Sequence, residues 1–296
     1  MPLRSFVRKA PQYQHMPERK LFWNSWRVVG GFLYFLKQQF LFGNSTRRKL
    51  KVVHKMKDMN KGLPALIIGN GPSQNTLTIG QITRLKENGA SVFVMNGFNK
   101  TSIGGKFSPD YYFLLDPAYG EGENPERLSA LDYLEKNSST VLVVSTVADF
   151  NLDNPARILH VNGISATGLW QKNSPILPNT HPQGVLFSAL ELASYLGHSP
   201  IYVTGIDNSF YLHHFHNQLG EVYVQSRGLH SYADEEADKW PTIPYLTRNM
   251  SDVLYAHAVF LRDLREFAKD RAVANVGLTD ITNDAFPFSC LLPQER

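Results

Sequence analysis

Hydrophobic positions along the chain fall into two regimes that change near residue 63. From Pro64 onward, short apolar runs alternate with longer amphipathic stretches and turn residues, the pattern of a parallel sheet covered by helices. The runs predict strands at 65–68, 91–95, 111–115, 141–145, 158–161, 201–204 and 272–276. Helical spacing predicts helices at 79–87, 126–136, 184–196 and 251–269. In the last of these, Val253, Leu254, Ala256, His257, Phe260, Leu261, Leu264 and Phe267 share one face behind a Ser251 cap. The expected fold is α/β and Rossmann-like, a mostly parallel twisted sheet with helices on both faces. Two long polar segments, 117–125 and 206–250, follow strand ends, where open sheets bind ligands.

Residues 1–62 read as an N-terminal helical appendage, basic and rich in aromatic residues, ahead of a single nucleotide-binding catalytic domain at 63–296. Its centre, 21–42, is apolar but broken by Arg27, Lys37, Gln38 and Gln39, which argues against a membrane-spanning helix. Two readings stay open: an interfacial helix on an anionic membrane surface, or a helix packed on the catalytic domain.

Composition adds modest constraints. The 296 residues are 43% hydrophobic, enough for a full core, and the net charge is only +4. Basic residues gather early, in Arg4, Arg8, Lys9, Arg19, Lys20, Arg27, Lys37 and the run Arg47, Arg48, Lys49 and Lys51. Nothing has the pattern of a zinc finger, an RNA-binding aromatic motif or a recognition helix, so no nucleic-acid partner is expected. One cysteine, Cys290, excludes an intrachain disulfide, and no secretory signal pattern stands out. A cytoplasmic protein, peripheral on the inner membrane if the appendage binds lipid, is the expectation; the oligomeric state stays open.

The sharpest local feature is the first strand running into Gly69, Asn70, Gly71, Pro72 and Ser73, followed closely by a helix. Glycines permit a close turn, and amides at such a loop attract phosphate. Gln74 stands where a dinucleotide fingerprint has its third glycine, and no Lys-Ser/Thr pair completes a P-loop. The next two strands end at Asn96 and Asp116, placing three polar residues at one sheet edge. Amide side chains bond phosphate or sugar groups, whereas a carboxylate near an anion needs a cation, a lysine or a ribose hydroxyl between them. The strand at 201–204 leads into Gly205, Ile206 and Asp207, the last suited to a ribose or base. His213, His214 and His216 have no completing ligand and read as surface loop residues. His230, in the long polar loop, is either a general base or a structural loop histidine.

The order of these motifs resembles the glycosyltransferase family 42 sialyltransferases of bacterial surface glycans. It is also similar to hydroxymethylpterin diphosphokinase-like domains, where the stretch from Phe107 to Pro117 would be at home. The resemblance covers roughly 64–290 by order and type, most specifically at 69–73 and 205–207. It implies a nucleotide-donor site at Gly69, Asn70, Gly71, Ser73, Asn96, Gly184 and Asp207, with His230 as general base and Tyr211 supporting the departing phosphate, and Asp116, Gln183 and Gly205 join the candidate donor-binding set by their places in the chain. The implied partners are a nucleotide-sugar donor and a glycan acceptor. The implied reaction moves an acidic sugar from a CMP donor to a glycan hydroxyl without a metal cofactor.

Where the sialyltransferases carry asparagine after the third strand this chain has Asp116, and their Arg-Ile-Thr-Ser is replaced by Thr180, His181, Pro182 and Gln183. Asp116 admits an alternative, a diphosphokinase acting with Mg2+ held at that carboxylate. A non-catalytic nucleotide-sugar-binding protein is the remaining alternative.

Overall fold

The computed structural model describes residues 18–115, 119, 125–148, 150, 157–164, 174–177, 185–207, 214–216, 222–224 and 250–277. The helices are α1 (Glu18–Lys49), α2 (Lys51–Lys55), α3 (Ile79–Glu87), α4 (Pro125–Lys136), α5 (Val185–Tyr195) and α6 (Met250–Ala268). The strands are β1 (Ala65–Ile68), β2 (Ser91–Met95), β3 (Tyr111–Leu114), β4 (Val141–Ser145), β5 (Ile158–Val161), β6 (Ile201–Thr204), β7 (His214–His216), β8 (Val222–Val224) and β9 (Val273–Asn275). Seven strands form one sheet in the order β5-β4-β3-β2-β1-β6-β9, and every pairing within it is parallel.

The strands read as unbroken apolar runs because both faces of the sheet are covered. Alternate residues divide between two cores. Ala65, Ile67, Phe93, Phe113, Val143 and Val203 face α5 and α6, with Leu190, Phe187, Phe260 and Leu264 across from them. Leu66, Ile68, Val92, Val94, Tyr112 and Val144 face the other way, toward Ile82 and Leu85 of α3 and Ala130 and Leu134 of α4. An α/β sheet with helices on both faces is thus what the hydrophobic pattern anticipated, and each strand of the large sheet lies within one residue of its expected bounds.

α3 begins at a reciprocal cap. The Gln81 N–H donates to Thr78 Oγ1 (3.3 Å) while the Thr78 N–H donates to Gln81 Oε1 (2.9 Å), satisfying two donors that a helix start leaves open. In α5 the same hydrophobic core encloses a carboxyl group: Glu191 is 7% exposed. Burial raises its pKa to about 8, with the Arg271 charge opposing the shift.

Three expectations change, the first being the Ser251 cap, since α6 already begins at Met250. The 206–250 stretch, read as loop, contains the antiparallel pair β7–β8, whose three-residue strands are too short to show periodicity. The helix expected over 21–42 runs from Glu18 to Lys49, because the polar and basic residues after Phe42 continue on helical spacing as far as the sheet. There Thr46 Oγ1 donates to Thr146 Oγ1 (3.2 Å), and Lys49 Nζ donates to the carbonyls of Thr146 (3.0 Å) and Ala148 (3.3 Å). No helix among the described residues is long and apolar enough to cross a membrane.

Candidate functional site

Strands β1 to β5 progress outward on one side of β1, and β6 then returns to its other side. The gap between the ends of β1 and β6 is therefore the switch point of the sheet, where open α/β folds bind ligands. The loops leaving these strands are 69–73 and 205–207, and they are bonded to each other.

Gly69 donates its N–H to the Thr204 carbonyl (2.8 Å), and Gly71 donates to the Gly205 carbonyl (2.8 Å). Ser73 is fully buried. Its N–H (3.1 Å) and hydroxyl (3.0 Å) both donate to Asp207 Oδ2, while its oxygen accepts the Gly205 N–H (2.9 Å). This contact explains the glycines. Gly71 has an ordinary φ of −69°, yet a Cβ there would collide with the Asp207 carboxylate. Gly205 is excluded from substitution twice over, by a φ of +68° and by the carbonyl of Gly69 at its Cβ position.

The amides of Gly69, Gly71 and Ser73 are engaged within the protein, and Pro72 has no N–H. A phosphate at these three amides would have to displace Thr204, Gly205 and Asp207. Asp207, expected to meet a ribose or base, uses Oδ2 to fix the loop.

The opposite polarity is found one step along the edge. β1 and β2 pair in register, Ile68 beside Val94, so Asn70 and Asn96 follow at matching positions. Asn70 is buried and donates Nδ2 to the Met95 carbonyl (3.0 Å), a bond that fixes which way the amide points. Its Oδ1 is buried and accepts no hydrogen bond from the described residues, and the same holds for Oδ1 of Asn96. Asn96 takes a φ of +46°, a left-handed conformation that asparagine tolerates better than most residues. Its carbonyl accepts from the Tyr112 hydroxyl, which also lies 3.0 Å from Asn99 Oδ1. Native interiors pair nearly all such oxygens, so these two stand out at this end of the sheet.

Of the residues expected at the site, the structure brings together Gly69, Asn70, Gly71, Ser73, Asn96, Gly205 and Asp207. Asp116, Gln183, Gly184, Tyr211 and His230 lie outside the described residues, as does His213. Among the described residues no group of three or more histidine, cysteine, aspartate or glutamate side chains is placed to hold a metal ion. Tyr112 and Asn99 were missed by the sequence reading. Tyr112 lies in an apolar strand and signals only core, and Asn99 belongs to a short 3-10 turn (Asn96–Lys100) that has no distinctive spacing.

No family model matches the sequence, and no curated protein matches it. Among solved structures, the chain is similar to that of the MAf glycosyltransferase from Magnetospirillum magneticum AMB-1, with a TM-score of 0.41 and 15% identity. The match covers 78% of this chain and 36% of that one, so the chain spans little more than a third of that protein's length. A likeness of this size carries no argument about chemistry.

Proposed function

We propose that this chain is a glycosyltransferase-like enzyme that binds a nucleotide-activated acidic sugar, CMP-linked, and transfers the sugar to a glycan hydroxyl in bacterial surface polysaccharide or protein glycosylation. The observation that carries the nucleotide reading is the pair of buried, unpartnered oxygens, Asn70 Oδ1 and Asn96 Oδ1, beside the switch point of a parallel sheet. A phosphate at neutral pH presents acceptors and no matching donors, whereas ribose hydroxyls and the cytosine amino group are donors. The nucleoside half of a donor therefore fits this edge better than its phosphate does. The step from nucleotide binding to glycosyl transfer rests on the order of motifs along the sequence.

In this reading the acceptor hydroxyl attacks the anomeric carbon of the bound sugar. The bond from that carbon to the phosphate oxygen breaks, and CMP departs with the electron pair. His230 takes the acceptor proton, and the Tyr211 hydroxyl donates to the departing phosphate. No metal takes part. A second reading uses the same two oxygens, because side-chain carbonyls also ligate hard cations: a Mg2+-dependent diphosphokinase with Asp116 at the metal.

Incubating the protein with CMP-sugars, and separately with ATP and Mg2+ plus a pterin alcohol, in the presence and absence of EDTA, separates these readings. CMP release and glycan product that survive EDTA are expected. Mg2+-dependent AMP release would replace the transferase with the diphosphokinase, and binding of CMP without turnover of either donor would leave a nucleotide-sugar-binding protein. A His230→Ala variant with full transfer rate would overturn the assignment of the base.

A further inference from the structure

The second half of α1 has two faces of opposite character. Gln38, Gly43 and Thr46 are buried, and Thr46 and Lys49 bond to the end of β4, so this side is satisfied by the protein. On other sides of the helix, Leu33 is 60% exposed, Leu36 45%, Phe40 88% and Leu41 56%. At 3.6 residues per turn, Phe40 stands roughly 120° around the helix from Thr46. Leu33, Leu36 and Phe40 are spaced three and four residues apart, as one stripe requires, and in the sequence Phe22, Trp26 and Val29 extend the same spacing toward the start of the helix.

The charges on this helix decide what such a stripe meets. Its cationic residues are Arg19, Lys20, Arg27, Lys37, Arg47, Arg48 and Lys49, against the single acidic Glu18. The whole chain carries only +4, so the helix is far more basic than the body that follows it. Lys37, Arg47 and Arg48 are exposed beside the apolar stripe. A second copy of the chain would bury the leucines and phenylalanine but would bring one cationic helix against another. An anionic bilayer accepts both features: acyl chains cover the stripe, and acidic headgroups meet the lysine and arginine heads. The helix does not qualify as a membrane span, which leaves the interfacial orientation.

We propose that α1 is a membrane-docking element that lies in the surface of an anionic lipid bilayer, inserting Leu33, Leu36, Phe40 and Leu41 while Lys37, Arg47 and Arg48 contact acidic headgroups. Its last turns remain anchored to the residues after β4 through Thr46 and Lys49. Strand β4 is parallel to β1, so this anchor is at the same edge of the sheet as Asn70 and Asn96. Docking would therefore hold beside the lipid surface the edge to which the proposed function assigns the nucleoside, and this last step rests on that reading.

The test is co-sedimentation of the full-length protein with vesicles of phosphatidylcholine alone and of phosphatidylcholine mixed with phosphatidylserine. Binding is expected only to the mixed vesicles and weakens as salt screens the basic residues. A Leu36→Glu/Phe40→Glu double variant replaces exposed side chains, so its melting temperature should match wild type while its partition coefficient falls about tenfold or more. An Arg47→Gln/Arg48→Gln variant weakens binding without touching the apolar stripe, and this keeps the test decisive if the first variant folds poorly. Failure of the wild-type protein to sediment with anionic vesicles, or unchanged binding by a folded variant of either kind, would overturn the proposal. A dimer in sedimentation velocity that the double variant dissociates, without lipid binding, would assign the stripe to a second copy of the chain and overturn it as well.

Discussion

The carboxylate of Asp207 accepts both the N–H and the hydroxyl proton of Ser73, at 3.1 and 3.0 Å, and so ties the end of β6 to the loop after β1. Both residues are buried, so the pair acts where water cannot substitute for a lost partner. Removing one side leaves a buried group unsatisfied, which costs about 1–3 kcal/mol. Ser73→Ala and Asp207→Ala should each lower stability by that order in urea denaturation. The double variant should lose less than the sum, because each single change already breaks the bond between the Ser73 hydroxyl and the Asp207 carboxylate. Full additivity would show that the two residues stabilise the fold independently.

Gly71→Ala should be destabilised by about 1–3 kcal/mol, the usual cost of forcing atoms into a packed site. Backbone conformation does not enter, since the φ of −69° suits alanine. The main obstacle is the Asp207 carboxylate, 1.9 Å from the Cβ position, with the Gly205 carbonyl behind it at 2.9 Å. An Asp207→Ala background should therefore reduce the penalty of Gly71→Ala, as compared thermal melts would reveal. An equal penalty in both backgrounds would point to a different clash.

Asn96→Gly removes the buried Oδ1 while keeping a residue suited to a φ of +46°. Because Oδ1 accepts no hydrogen bond from the described residues, its loss should leave stability near wild type. If the nucleoside donates to that oxygen, CMP affinity should fall about tenfold, the equivalent of one hydrogen bond of ordinary net strength. Calorimetric titration with CMP checks this; unaltered affinity in a folded variant would remove Asn96 from the site.

Glu191 gives the stability a pH dependence of known sign. Its folded pKa is about 8, above its ordinary 4.5, owing first to burial and moderated by Arg271. Between those values the unfolded chain releases a proton that the folded chain retains, so this group's contribution is complete below about pH 4.5 and is lost as pH rises toward 8. Glu191→Gln keeps the shape without the ionisation. Its stability advantage over wild type should be absent at the acid end, grow across that window and level off above it. Chemical denaturation at a series of pH values reads this directly, and a constant difference would show that Glu191 does not titrate with folding.

The sheet was legible because its strands are buried on both faces, which makes Ala65–Ile68 or Val141–Ser145 visible as an apolar run without knowledge of any partner. α3 was equally readable, since Thr78 and Gln81 cap it from within three residues. Short elements such as β7, β8 and the 3-10 turn at Asn96–Lys100 were not, for they have too few residues to repeat a pattern. The full extent of α1 was also hidden. Its final turns are polar, and contacts near Thr146 give Thr46 and Lys49 partners that local sequence does not announce.

The sequence by itself determined the α/β alternation, the glycine-bearing turn after β1 and the presence of Asn70, Asn96 and Asp207 at strand ends. Those properties depend on neighbours a few positions away. Only the tertiary structure decided that β6 lies beside β1, so that Thr204, Gly205 and Asp207 take up the N–H groups of Gly69, Gly71 and Ser73, while Asn70 and Asn96 keep buried acceptors without a partner among the described residues. The physical reason is separation along the chain: β1 and β6 pair across more than a hundred residues, and which polar atoms are satisfied there follows from strand order, which no local pattern encodes.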